Sequence, residues 1–309
     1  MAKAYASAII DAPVETVWSF LRDFNGLPNW HSAIVRSQIE EGRDADSVGC
    51  VRSFHLADGS HVRERLMMLD DARRCLSYNF ETPAFPVENY LATMQVMPVT
   101  NGDATFCEWG ATFDEAPKDR GKYSGIISEN VFAGGWAALK AKIEAERPEK
   151  PAGAERWKAW APSKVWTSAV IHGRVEDVWA RMRDFAGMAE WHPEISRMTM
   201  IGGVRSDKVS GVRDFHFGEG HLHEELLHLD DLERSFSYRI LKSELPWLNY
   251  VSGARLWPIT ATGETFAVWT GDWHASPHDD LQLIPGTEAN VYQRAFATLN
   301  EKFFNQTPR

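Results

Sequence analysis

Val51 to Asp71 reads VRSFHLADGSHVRERLMMLDD, and the stretch returns one residue shorter as VRDFHFGEGHLHEELLHLDD from Val212 to Asp231. Each copy alternates side chains about a turn signal, Asp58-Gly59 in the first and Glu219-Gly220 in the second. That is the pattern of a β-hairpin. Pairing Leu56 with Val62 and Phe217 with Leu222 places the missing residue inside the second loop. One face then carries Arg52, Phe54, Leu56, Val62, Glu64 and Leu66, and its counterpart carries Arg213, Phe215, Phe217, Leu222, Glu224 and Leu226. An Arg and a Glu on an otherwise apolar face, twice over, is the main chemical signal in the chain.

The repeat extends outward from the hairpins. Residues 10–34 match 171–195, sharing Val14, Val17, Trp18, Arg22, Asp23, Phe24, Gly26, Trp30 and His31 with their copies. Downstream, Ser77-Tyr78 matches Ser237-Tyr238, PVENY at 86–90 matches PWLNY at 246–250, and Trp109 matches Trp269. Asn130-Val131 and Leu139 find Asn290-Val291 and Leu299. A period this long means duplicated domains rather than a solenoid. The expected boundaries are 1–147 and 164–309, with 148–163, rich in Pro, Ala and charge, as a linker.

Within a copy, a strand at 5–10 leads into a helix with Pro13 at its first position and Val14, Val17, Trp18 and Leu21 as its apolar stripe. A short broken helix carries Trp30 and His31. Strands are expected near 34–40, 47–57, 61–70, 74–81, 88–98 and 104–114, then a long helix from about 128 to 146. Seven strands, two short helices after the first and a long closing helix make a curved antiparallel sheet wrapped on a helix. The class is α+β.

With 309 residues, 44% of them hydrophobic and 25% charged, the chain has the composition of two soluble globular domains. A net charge of −10 and the lack of a basic stripe argue against nucleic acid as a partner. No apolar run nears the ~20 residues of a membrane-spanning helix, and the N-terminal residues do not form a secretory signal. All three cysteines lie in the first copy, opposite Gly211, Ser235 and Ala267, so no disulfide framework is expected. A cytoplasmic location follows as the expectation.

The opening A-P-x-E-x-V-W (Ala12 to Trp18), Trp30-His31, V-R-x-F, Glu64 to Leu66, the Ser-Tyr strand and Trp109 with Phe113 resemble the SRPBCC superfamily. This is the helix-grip fold of START lipid-binding domains, the birch-pollen allergens and the polyketide cyclase/dehydrase proteins. The second copy departs at His172-Gly173-Arg174 and at Glu225. The two-domain layout also resembles that of didomain aromatase/cyclases. The resemblance implies a deep pocket between sheet and long helix.

Alternation lines that pocket with Arg52, Phe54, Glu64, Tyr78, Tyr90, Trp109 and Phe113, and in the second copy with Arg213, Phe215, Glu224, Tyr238, Tyr250, Trp269 and Trp273. Arg52 and Glu64, diagonal across the hairpin, either pair structurally or serve a ligand, and the two roles are compatible. His31 and His192, which by resemblance border the pocket mouth, are either acid–base groups or packing residues. The catalytic candidates are therefore Arg52, Glu64 and His31 with Arg213, Glu224 and His192. As an enzyme, the chain would be a cofactor-free cyclase, dehydratase or lyase acting on a hydrophobic, oxygenated small molecule. Arg52 would stabilise an enolate, Glu64 or His31 would move the proton, and the tyrosines would position a ring. The other reading is a non-catalytic lipid or aromatic-metabolite carrier.

No cofactor is called for, since Gly-rich phosphate loops, nucleophile elbows and Cys-x-x-Cys are missing. His216, His221 and His223, on the outer face of the second hairpin with His216 opposite His223, have metal-ligand spacing, but a polar surface is the plainer reading. The two domains are expected to pack on each other. Two competent pockets are expected too; against that stand the bulkier Phe217, Trp257 and Trp273 of the second copy in place of Leu56, Met97 and Phe113 (Trp257 facing outward in the expected register), which would leave one pocket partly filled and structural.

Overall fold

In the computed structural model, residues 1–56, 59–148, 163–244 and 247–304 are described; Asp58 of the first turn signal and nearly all of the expected linker lie outside them. The first domain builds one seven-stranded sheet in the order β1-β7-β6-β5-β4-β3-β2. The strands are β1 (Ala2–Ile10), β2 (Ile34–Ile39), β3 (Val51–Leu56), β4 (His61–Asp70), β5 (Cys75–Thr82), β6 (Val87–Val99) and β7 (Ala104–Glu115). The second repeats the order as β8-β14-β13-β12-β11-β10-β9, with β8 (Val165–Ile171), β9 (Ile195–Met200), β10 (Val212–Phe217), β11 (Gly220–Asp230), β12 (Ser235–Lys242), β13 (Leu248–Ile259) and β14 (Glu264–His274). Consecutive strands pair as a meander from β2 to β7, and β1 closes onto β7. Both domains are helix-grip folds.

Helix α1 (Val14–Arg22) buries Val14, Val17, Trp18 and Leu21, and Pro13 caps it one place before the expected first position. A shared anchor fixes this helix to the β4–β5 turn. Trp18 Nε1 and Arg22 Nε both donate to Asp71 Oδ1, at 2.9 and 2.8 Å. In the second domain Trp179 and Arg183 do the same to Asp231, at 2.8 and 2.7 Å. The long helix of the first domain starts earlier than expected. It runs as α-helix over Lys122–Ile126, π-helix over Ile127–Ala133 and α-helix over Gly134–Glu146. Phe132, Trp136, Leu139 and Ile143, spaced by three and four, form the buried stripe facing the sheet. Its counterpart breaks into π-helix at the matching place, Thr287–Gln293.

The hairpin register differs from the expectation by one residue pair. Phe54 opposes Val62 and Arg52 directly opposes Glu64; in the second domain Phe215 opposes Leu222 and Arg213 opposes Glu224. The shift moves partners by two residues, so each side chain keeps its face. The second turn is Gly218-Glu219, one residue earlier than the sequence signal, with Gly218 at φ 55°. Positive φ at the first central position is what a tight two-residue hairpin requires. His216 consequently opposes His221, not His223.

The two cores diverge at one coordinated set of positions. Phe132 of the first domain is Tyr292 in the second, Ala92 is Ser252, and Ala111 is Gly271. The Tyr292 hydroxyl bonds Tyr250 and Ser252, and a methyl group on Gly271 would lie 2.3 Å from it. Only a glycine leaves room for that oxygen. We expect Gly271→Ala to cost about 1–3 kcal/mol in urea unfolding. Adding Tyr292→Phe, which copies the first domain's Ala111 and Phe132, should restore part of the loss.

Candidate active site

The repeated Arg and Glu meet as a buried ion pair in each domain. Arg52 and Glu64 are 3% and 5% exposed. Arg52 Nε and Nη2 both donate to Glu64 Oε2, at 2.7 and 2.6 Å, while Nη1 donates to the Phe24 carbonyl at 2.7 Å. The guanidinium lies 3.9 Å over the Phe24 ring and 5.0 Å from that of Tyr78. Arg213 repeats every contact with Glu224, the Phe185 carbonyl and the Phe185 ring. The pair thus ties the hairpin to the loop after the first helix. Donation from Arg52 converges on Oε2, and no hydrogen bond reaches Glu64 Oε1 among the described residues. Burial pushes the Glu64 carboxyl above its ordinary pKa, against the opposing pull of Arg52.

His31 sits in the same wall with both ring nitrogens engaged. Nδ1 accepts from the Ala33 amide at 3.3 Å, which leaves Nε2 to donate to the Val131 carbonyl, 3.4 Å away in the π-helical segment. His192 is held likewise by the Glu194 amide and the Val291 carbonyl, at 3.2 and 3.1 Å. Each histidine is a neutral clamp between loop and long helix. Burial lowers the pKa of both, His192 to about 4.

Around these groups the first domain encloses a cavity of about 200 Å³. Of the expected residues, Arg52, Phe54, Glu64, His31, Tyr78, Tyr90 and Trp109 line it, joined by Leu27, Phe80, Phe85, Ile127 and Asn130. Phe113 does not reach the cavity; it stands behind Tyr90, their rings stacked at 6.1 Å. Trp109 Nε1 donates to the Tyr78 hydroxyl at 3.1 Å, so that oxygen is fixed at the wall. Burial holds Tyr78 and Tyr90 well above an ordinary phenol pKa, and both stay neutral.

The second domain's matching cavity is about 30 Å³, room for about one water. Arg213, Phe215, Glu224, Tyr238 and Tyr250 line it, whereas His192, Trp269 and Trp273 do not. Trp247, standing where the first domain has Val87, packs 5.0 Å from Tyr250, and Tyr250 stacks on Trp273 at 5.8 Å. Phe217 turns against His192, with ring centres 5.4 Å apart. Trp257 faces away, under Arg255. The two pockets expected from the repeated charges are therefore one open cavity and one filled core. The difference from Val87 to Trp247 was visible in the paired PVENY and PWLNY segments, but its inward direction was not.

The outer-face histidines gather differently from expectation. His221 and His223 converge on Asp214, whereas His216 stacks on His221 at 5.0 Å. Among the described residues no helix is long and apolar enough to cross a membrane.

Residues 1–144 and 162–303 each match the family described as polyketide cyclase/dehydrase and lipid transport. The chain belongs to that family, once per domain. Among solved structures, an uncharacterised protein from Bacillus thuringiensis is 30% identical over 46% of this chain and 99% of its own, with a TM-score of 0.42. The di-domain aromatase/cyclase BexL of the BE-7585A biosynthetic pathway is 14% identical, each chain fully covered, at a TM-score of 0.41. Norcoclaurine synthase from Thalictrum flavum, solved with dopamine and hydroxybenzaldehyde, is 15% identical over 48% of this chain and 88% of its own, at 0.40.

Two outcomes follow for this family member. Arg52→Met strands a buried carboxylate and should cost about 3–5 kcal/mol at neutral pH. Arg52→Met with Glu64→Gln should lose less than the two single losses summed, as chemical denaturation of all three variants will show. His192, with a folded pKa near 4 against an ordinary 6.5, takes up its proton more readily in the unfolded chain. Its contribution to stability is present above 6.5 and is lost as pH falls toward 4, on the order of 3 kcal/mol. His192→Gln should flatten that slope in unfolding measurements.

Proposed function

We propose that the first domain is a cofactor-independent enzyme of the cyclase, dehydratase or lyase type, acting on a hydrophobic, oxygenated molecule of one or two rings. The observation that carries this reading is the Glu64 carboxylate on an apolar, aromatic cavity wall, with Oε2 held by Arg52 and Oε1 without a hydrogen bond among the described residues. A cavity of about 150 Å³ accommodates benzene, so about 200 Å³ suits a small ring system better than a long acyl chain.

In this mechanism Glu64 Oε1 takes a proton from a substrate carbon or hydroxyl beside a carbonyl. The same carboxyl then returns it at a second atom, or to a departing hydroxyl that leaves as water. Arg52 acts through Glu64, fixing the direction of the carboxylate, rather than as the enolate donor expected from the sequence. The Tyr78 hydroxyl and the ring faces of Tyr90 and Trp109 orient the substrate. The His31 clamp seats the long helix over the pocket. The second domain, with the same ion pair around a filled core, is a structural companion.

A carrier is the second reading. It draws support from the protein-satisfied state of Arg52 and His31, which leaves few polar groups for chemistry.

The deciding experiment uses the molecule that co-purifies from the native host, incubated with wild-type protein and with Glu64→Gln. The enzyme reading expects conversion by wild type and binding without conversion by the variant. The rate should fall as pH drops through a limb above the usual glutamate range, because the base must be ionised and burial raises its pKa. Return of the molecule unchanged by wild type at every pH would establish the carrier instead.

A further inference from the structure

The outer face of the second domain's hairpin carries chemistry that the cavity does not use. Asp214 on β10 and His223 on β11 are direct cross-strand partners, and His221, two residues from His223, shares its face. His221 Nε2 lies 2.8 Å from Asp214 Oδ1, and His223 Nε2 lies 3.0 Å from Asp214 Oδ2. Among the described residues, this is the one group of three His, Cys, Asp or Glu side chains whose ligand atoms all fall within 4.8 Å of one another.

We propose that Asp214, His221 and His223 form a binding site for one divalent first-row transition ion. Two imidazoles and a carboxylate suit zinc, cobalt, nickel or copper and disfavour magnesium and calcium, which prefer all-oxygen shells. Ligand atoms about 2.1 Å from a tetrahedral ion stand about 3.4 Å apart, so the observed 2.8 and 3.0 Å to the two Asp214 oxygens need adjustments well under 1 Å, while the two histidine ligand atoms, within 4.8 Å of each other, close by up to about 1.4 Å. The ion takes the place of the hydrogen between each Nε2 and the carboxylate, and each imidazole stays neutral with its proton on Nδ1. The three side chains are 25–32% exposed, which leaves the remaining coordination positions to water.

The strands position these ligands. β-pairing fixes Asp214 against His223, and the ring of His216 stacks on His221 and limits its swing. Lys242 pairs with His223 in the register of β12. Among the described residues the first domain has no such site. Its matching positions are Ser53, His61 and Arg63; Ser53 bonds His61 at 2.8 Å, and Arg63 is committed to Glu40 at 2.6 and 2.7 Å. The site therefore distinguishes the two halves of the chain, on the half whose interior is filled.

The test is zinc chloride titrated calorimetrically into chelator-treated full-length protein, with cobalt(II) absorption as the spectroscopic readout. One ion per chain is expected, with the d–d bands of nitrogen and oxygen coordination. His221→Gln and His223→Arg, the latter copying the first domain's Arg63, should each weaken zinc at least ~10-fold. His216→Ala should retain the stoichiometry. Equal zinc affinity in wild type and in the His221→Gln/His223→Arg double variant would overturn the proposal, as would undetectable binding at millimolar zinc.

Discussion

A charged pair taken out of water holds the hairpin, the loop after the first helix and the cavity wall in one arrangement. In each domain an arginine gives two donors to one glutamate oxygen and a third to a backbone carbonyl, with its flat face on a phenylalanine. Burying two ions this deeply is costly unless their hydrogen bonds are met, and here the arginine's are met from two elements at once. Among the described residues the same geometry leaves one carboxylate oxygen without a hydrogen bond, and in the first domain Glu64 lines an open cavity. In the proposed reading, the structural and functional roles of the pair are one arrangement seen from its two oxygens.

Duplication makes the comparison internal. Both domains keep the ion pair, the histidine clamp onto a π-helical carbonyl and the tryptophan–arginine anchor on an aspartate. They differ in what fills the space between sheet and helix. Trp247, Phe217 and Tyr292 occupy the second interior, where the first has Val87, Leu56 and Phe132. Keeping the buried charges where the matching cavity is only about 30 Å³ argues that they serve the fold first, with the proposed ligand chemistry confined to the domain where room remains.

Much of this was legible in the residues. Strand alternation assigned Arg52, Phe54, Glu64, Tyr78 and Tyr90 to one face, and the repeat itself divided the chain. Register was less secure, because a shift of two residues keeps every side chain on its face and the pattern alone cannot detect it. Cavity size was only partly legible, since the bulkier walls of the second copy were visible but the extent of filling was not. It depends on whether a side chain such as Trp247 folds inward, and on covarying neighbours such as Gly271 and Tyr292 that read as ordinary substitutions one at a time. The π-helical segments were not foreseen, so neither was the engagement of His31 and His192 by helix carbonyls, and the sequence left each open as an acid–base group or a packing residue.

The central claim is that one domain of this chain holds ligand and the other cannot. Native mass spectrometry of the protein with its co-purified molecule measures this directly, alongside a Leu56→Phe/Val87→Trp variant that gives the first cavity the walls of the second. The account predicts one molecule per wild-type chain and none in the variant. Two molecules per wild-type chain, or an undiminished one in the variant, would contradict it.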